Sequence, residues 1–298
     1  MLEDQQSNGG IFQGRETELS RIFTILGQTR RHNIILLGES GSGRTAILLR
    51  LEKLLLEQNQ PMVILIDLEK SILKPVVLLA TLETQLAKGQ GNKQIIILDG
   101  LESLLTAETR VRQAVLQWIK RAMVTQEAQL IISCNQSYYQ QFIASDERLI
   151  SHSQTLILTI PNFMTTVAIV RAHLQTIFDH RRVIIPESII PPIVAFAHRY
   201  IHDSVLPGSA LHLLDASIAY LKQKKQSLEL ELKDVVEVIS QWTGISREAL
   251  LISDEEKLRY CAEKLSEQID GQEEALQKIQ RALQAGFLKL HSTQPMAM

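Results

Sequence analysis

The sequence is poor in several things at once. Its 298 residues include two cysteines, Cys134 and Cys261, and 5% aromatic residues. The cysteines match no metal-ligand or redox spacing, so both are expected to be packed thiols in a protein of a reducing compartment. Neither sign of charge dominates, with 31 Lys and Arg against 33 Asp and Glu and a formal net charge of -2. The longest basic block is the short stretch from Lys222 to Lys225. The phosphate-neutralising excess of a dedicated nucleic-acid binder is therefore lacking, and no nucleic acid is expected. No apolar run approaches the ~20 residues of a membrane helix, and Met1 to Gly10 is acidic and polar where an export signal is basic and then apolar. No membrane association is expected, and a cytoplasmic location is. The eight histidines show no pair at metal-ligand spacing with a third ligand, so no zinc site is proposed.

What is present is a globular sequence, 45% hydrophobic, with a clear change of pattern along its length. Apolar runs at Asn33–Leu37, Met62–Asp67, Gln94–Asp99, Ala128–Cys134 and Thr155–Ile160 read as buried strands, the earlier ones separated by helix-length segments. That alternation predicts an α/β fold with a parallel sheet flanked by helices. After Pro161 the pattern turns helical, punctuated at Pro186, Pro191-Pro192, Pro207-Gly208 and Thr243-Gly244. An α-helical subdomain is expected there. Tyr138 and Tyr139 fall on the helix after the fourth strand, where core or interface packing is the expectation.

The segment Gly38-Glu39-Ser40-Gly41-Ser42-Gly43-Arg44-Thr45 follows the first strand and opens a helix over Thr45–Gln58. Its spacing is that of a Walker A phosphate loop, with Arg44 in the lysine position. Glycines allow backbone N–H groups to turn towards phosphate oxygens, the helix N-terminus adds partial positive charge, and the Thr45 hydroxyl is placed for a magnesium ion. Arginine is planar and prefers bidentate contacts where lysine is a compact point charge, so this exchange is not conservative. The strand Gln94–Asp99 supplies the second element, with Asp99 suited to the metal shell. The next residue is Gly100, where a catalytic carboxylate would stand. Glu102 is the candidate substitute base.

In this order the motifs resemble the first ATPase module of the Clp/ClpB-type AAA+ chaperones, over most of the chain. Gln13-Gly14-Arg15-Glu16-Thr17-Glu18-Leu19 is similar to the family's opening motif. His198 to Pro207, with Ala210, Leu214, Asp215 and Ala216, looks like its small-subdomain signature. Val235 to Ile245 resembles the linker to a second module, and Ile269 to Ala275 the opening of that module, before any second Walker A loop. The resemblance implies ATP or ADP with Mg2+ as cofactors, an adenine-side role for Gly14 and Arg15, and nucleotide binding by residues 38 to 45 and Asp99. It also implies Thr45 and Asp99 as magnesium ligands. Four parts follow: a flexible tail over 1–10, a large α/β nucleotide-binding subdomain over 11–160, a helical small subdomain with linker over 161–251, and a helical extension over 252–298. The extension carries an apolar stripe from Leu258 to Leu283 that needs a partner surface.

The departures from the family pattern fall at its functional positions. Ser151 and His152 stand where the resemblance implies paired arginine fingers, and Arg148 is displaced from them by three positions. No Phe, Tyr or Trp occurs from Pro61 to Gln117, the segment of the family's substrate-gripping loop, so polypeptide threading is not expected. Asn135 reads either as a sensor-like polar residue or as a strand-end turn asparagine. The expected function is a nucleotide-binding AAA+ module with hydrolysis weak or lost, a degenerate ATPase that acts in nucleotide-dependent assembly. Its partners would be copies of itself or a Clp-type AAA+ protein. The alternatives are an active ATPase completed by a partner, with Glu102 as base, and a nucleotide-free adaptor docking on a Clp-type ring.

Overall fold

The computed structural model describes residues 13–57, 62–88, 94–125, 128–181, 183–224 and 229–252, with the single positions 256, 278 and 282. The tail over 1–10, Cys261, the stripe from Leu258 to Leu283 and the segment Ile269–Ala275 lie outside the described residues. The chain divides into two compact units, Met1–Leu232 and Lys233–Met298.

The first unit opens with α1 (Glu16–Leu26), β1 (Asn33–Leu37), α2 (Arg44–Glu57), β2 (Val63–Asp67), α3 (Leu68–Ser71) and α4 (Pro75–Lys88). It continues through β3 (Gln94–Asp99), a 3-10 helix over Leu101–Thr106, α5 (Thr109–Thr125), β4 (Ala128–Cys134), α6 (Gln136–Tyr138), α7 (Glu147–His152) and β5 (Ser153–Ile157). The five strands form one parallel sheet in the order β2-β3-β4-β1-β5. Helices α8 (Phe163–Arg181), α9 (Ile190–Tyr200) and α10 (Gly208–Lys224) follow.

The central strands are apolar throughout because both faces of the sheet are covered. Ile34, Leu36, Ile95, Ile97 and Ile131 pack with Leu19, Ile22 and the α2 residues Ile47, Leu48 and Leu51. Their alternates Ile35, Leu37, Ile96, Leu98 and Ile132 pack on the opposite side with Leu78, Leu82, Val115 and Trp118. Asn33 fixes the first strand between its neighbours. Its amide donates to the His152 carbonyl at 2.9 Å and its Oδ1 accepts from Leu130 N–H at 2.8 Å.

Strands β3 and β4 have the expected bounds. β5 begins and ends earlier than its apolar run, because pairing with β1 runs from Asn33↔Ser153 to Leu37↔Ile157 and one further bond, Leu158 N–H to Leu37 C=O at 2.7 Å, closes the ladder. Ile160 is left exposed. After β2 no loop intervenes: Asp67 caps α3 by accepting from Lys70 N–H, and its side chain pairs with Lys70 at 2.8 Å. Tyr138 is buried and lies 4.8 Å from the Phe142 ring, consistent with core packing.

The second unit is described over its first part, where α11 (Leu232–Thr243) and α12 (Arg247–Leu251) fall. Val235, Val236, Val238 and Ile239 of α11 are buried, Ser246 caps α12, and Arg247 pairs with Glu237 at 2.5 Å. No helix among the described residues is long and apolar enough to cross a membrane.

Candidate nucleotide-binding site

Parallel sheets place ligands beyond the carboxyl ends of their strands, and here β1 and β3 deliver their terminal loops to the same end. The glycine-rich loop leaves β1 at Gly38, whose N–H donates to the Cys134 carbonyl at 3.2 Å. Gly41 and Gly43 have φ of 86° and 94°, in the left-handed region open to glycine. Helix α2 starts at once, so Arg44 and Thr45 occupy its first turn.

Asp99, at the end of β3, joins this loop to the sheet. The Thr45 hydroxyl donates to Asp99 Oδ2 at 2.6 Å, and the Ser133 hydroxyl donates to Asp99 Oδ1. Ser133 in turn accepts from Gly100 N–H at 2.8 Å. Ser133 was not singled out by sequence; the available signal is a small polar residue near the end of the apolar strand β4. Gly100 has φ of 75° and turns the chain into the 3-10 helix that carries Glu102. Glu102 Oε1 is ion-paired with Arg44 Nη2. The other arms of this pair, Arg44 Nη1 and Glu102 Oε2, are buried without partners, as is the Ser42 hydroxyl.

Arg15 is buried, and its guanidinium braces the loop from behind. Nη2 donates to the carbonyls of Ser42 at 3.0 Å and Thr159 at 2.7 Å, while Nη1 pairs with Glu18 at 2.7 Å. Gly14, with φ of 83°, lets this segment approach α8, since a Cβ there would stand 2.8 Å from Thr165 Cγ2. Glu39 is exposed and its carbonyl accepts from Ser42 N–H at 3.1 Å. The Ser40 and Gly41 carbonyls accept from Val205 N–H and Gly208 N–H, both at 2.9 Å, so the helical segment rests directly on the loop backbone.

A cleft of about 830 Å³ opens here, within the size range of small-molecule sites. Residues 40 to 45, Arg15, Asp99, Gly100 and Glu102 line one side of it, and Ile169, His173, Pro207, Gly208 and Leu211 contribute from the helices. The helical contributors were not legible as site residues, because they look like ordinary helix-packing positions. Asn135 Oδ1 caps α6 by accepting from Tyr138 N–H at 2.8 Å, and Asn135 is not among the described residues lining the cleft. Ser151 and His152 end α7, on which Arg148 is exposed.

Burial pushes the Cys134 thiol up to about 12; the nearby Glu102 adds to the rise and Arg44 opposes it. The reactive thiolate is therefore scarce at neutral pH and gains population only as pH climbs towards that value. Iodoacetamide labelling of Cys134, followed by peptide mass spectrometry at pH 7.5, is expected to be roughly a thousandfold slower in the folded protein than in urea. Equal rates would contradict this placement.

The sheet, the glycine-rich loop and the helices that close over it define a P-loop AAA+ fold with a helical lid. Residues 162–269 match the family model of the AAA lid domain. The chaperone protein ClpB of Porphyromonas gingivalis is 26% identical over 274 residues, which cover 85% of this chain and 31% of that protein. The ATP-dependent Clp protease ATP-binding subunit ClpA homolog of Cyanidium caldarium is 24% identical, over 91% of this chain and 40% of its own length. The solved S. cerevisiae Hsp104-ADP complex superposes with a TM-score of 0.76 at 22% identity, over 94% of this chain and 50% of that one. Over most of its length the chain is similar to Clp/ClpB-type AAA+ proteins, and it spans less than half the length of either curated relative.

Proposed function

We propose that this module binds ATP and ADP with Mg2+, hydrolyses ATP weakly or not at all, and uses the bound nucleotide to govern assembly in the cytoplasm. The assembly would be a homo-oligomer or an association with a Clp-type AAA+ protein. One observation carries the reading. Asp99 sits directly under the loop and touches Thr45, whereas the carboxylate that follows it, Glu102, is paired with Arg44.

The residues present suit a nucleotide. The loop is built on left-handed glycines, an unpartnered Ser42 hydroxyl and an unpartnered Arg44 nitrogen lie beside it, and the cleft continues to apolar lid residues. The loop backbone and Arg44 would hold phosphate oxygens, with Ile169 and Leu211 offering apolar surface for a base. Among the described residues no three His, Cys, Asp or Glu side chains cluster at metal-binding distance. A magnesium ion would thus draw on Thr45, Asp99 and the phosphates, and would neutralise charge on the phosphate oxygens.

Binding is tested by thermal unfolding. A ligand specific to the folded state at a hundred times its Kd adds about 2.7 kcal/mol, a rise in Tm of roughly 4 °C for a protein of this size. An unchanged Tm in millimolar ATP or ADP with Mg2+ would favour the nucleotide-free adaptor. A second reading, an active ATPase with Glu102 as base and a finger supplied by a partner, is favoured by the position of Glu102 in the cleft lining with Oε2 unpartnered.

A further inference from the structure

We propose that Glu102 is a built-in competitor for the phosphate-binding cation: it holds Arg44, and a nucleoside polyphosphate binds by taking Arg44 from it. This inference rests on the nucleotide-binding reading above and adds a regulatory contact to that site.

Three observations and one point of chemistry carry it. Arg44 and Glu102 both line the cleft, with side chains 13% and 22% exposed, so their pairing is screened less than a surface ion pair. The pair uses one arm of each fork, because Arg44 Nη1 and Glu102 Oε2 are both without partners. A polyphosphate offers several oxygens to the same guanidinium and can satisfy both of its arms, the stronger arrangement. The placement of Glu102 is also fixed by the backbone. Gly100 takes its left-handed conformation with nothing within 4 Å of the site of a Cβ, and its carbonyl accepts from both the N–H and the hydroxyl of Ser103, at 3.0 Å and 2.7 Å. Conformation rather than crowding calls for glycine there, and the turn it makes aims the next carboxylate at the loop.

Two anions competing for one cation lower the apparent affinity of the external one, since only the fraction of sites with Arg44 released is competent. Removing the internal anion therefore tightens nucleotide binding. A charge-assisted hydrogen bond of this kind corresponds to about 10- to 100-fold in Kd. Shortening Glu102 by one methylene, with its charge kept, also relaxes its hold on Arg44, whereas simple charge repulsion would persist in that variant.

The experiment measures ADP and ATP affinity by calorimetry, with Mg2+, on the full chain and on Glu102→Gln and Glu102→Asp, with folding checked by circular dichroism. Tighter binding in both variants, by about tenfold or more for Glu102→Gln, is the expected result. Tighter binding by Glu102→Gln alone would identify plain repulsion and overturn the competition. Unchanged or weaker binding by Glu102→Gln would overturn it while leaving the nucleotide reading intact. If neither the parent chain nor either variant binds, the nucleotide reading itself fails and the inference falls with it.

Discussion

Alanine at Gly41 is expected to destabilise the protein by about 2–5 kcal/mol and to weaken nucleotide binding roughly 100-fold. Two costs combine at this residue. Its φ of 86° puts an L side chain in the left-handed region, a penalty of about 1–2 kcal/mol. A Cβ there would also stand 2.6 Å from the Val205 carbonyl and 3.1 Å from Ser204 Cβ, and backbone cannot swing aside as a flexible side-chain tip can. Relief requires the loop to part from the lid. That movement breaks the bond from Gly208 N–H to the Gly41 carbonyl and turns loop N–H groups away from the phosphates. Losing one or two charge-assisted bonds accounts for the affinity change. Gly43→Ala is the internal control, because Gly43 has φ of 94° but nothing within 4 Å of its Cβ position. It should show the conformational penalty alone. Urea unfolding and calorimetric ADP titration of the two variants check this, and equal losses would contradict a loop held by the lid.

The second large effect is on turnover. Replacement of a general base typically costs ~10²- to 10⁴-fold, and absence of an arginine finger ~10³- to 10⁵-fold. Taken at their low ends together, these raise the barrier by about 7 kcal/mol, although groups that act as a unit do not add strictly. From a typical enzyme rate of about 10 per second, the expected turnover falls to the order of 10⁻⁴ per second. The local geometry agrees with the direction of this change. Position 100 is left-handed, a poor setting for the glutamate that would complete the site, and Glu102 is committed to Arg44.

How much of this was legible in the sequence depended on how local each signal was. Strands β3 and β4 were readable to the residue because short apolar runs, bounded by polar or glycine-containing segments, carry their own limits. The end of β5 was not, because its pairing partner β1 has five residues and the apolar run past Leu158 finds no further strand to bond. The loop, Thr45 and Asp99 follow from spacing, and the structure brings Thr45 and Asp99 into contact. The pairing of Arg44 with Glu102 was illegible. It joins residues 58 apart in sequence and depends on the sign of one backbone angle at Gly100. Arg15 shows the same limit, since the two carbonyls it reaches, of Ser42 and Thr159, belong to distant segments with no side-chain signature.

We propose a module that holds nucleotide in a site poorly equipped to cleave it. A paired assay on one preparation tests that claim most directly, with ATP affinity measured by calorimetry and phosphate release measured under the same Mg2+ and salt. Micromolar binding with turnover well below about one per minute is the predicted result. Turnover above that rate, abolished by Asp99→Ala, would contradict it.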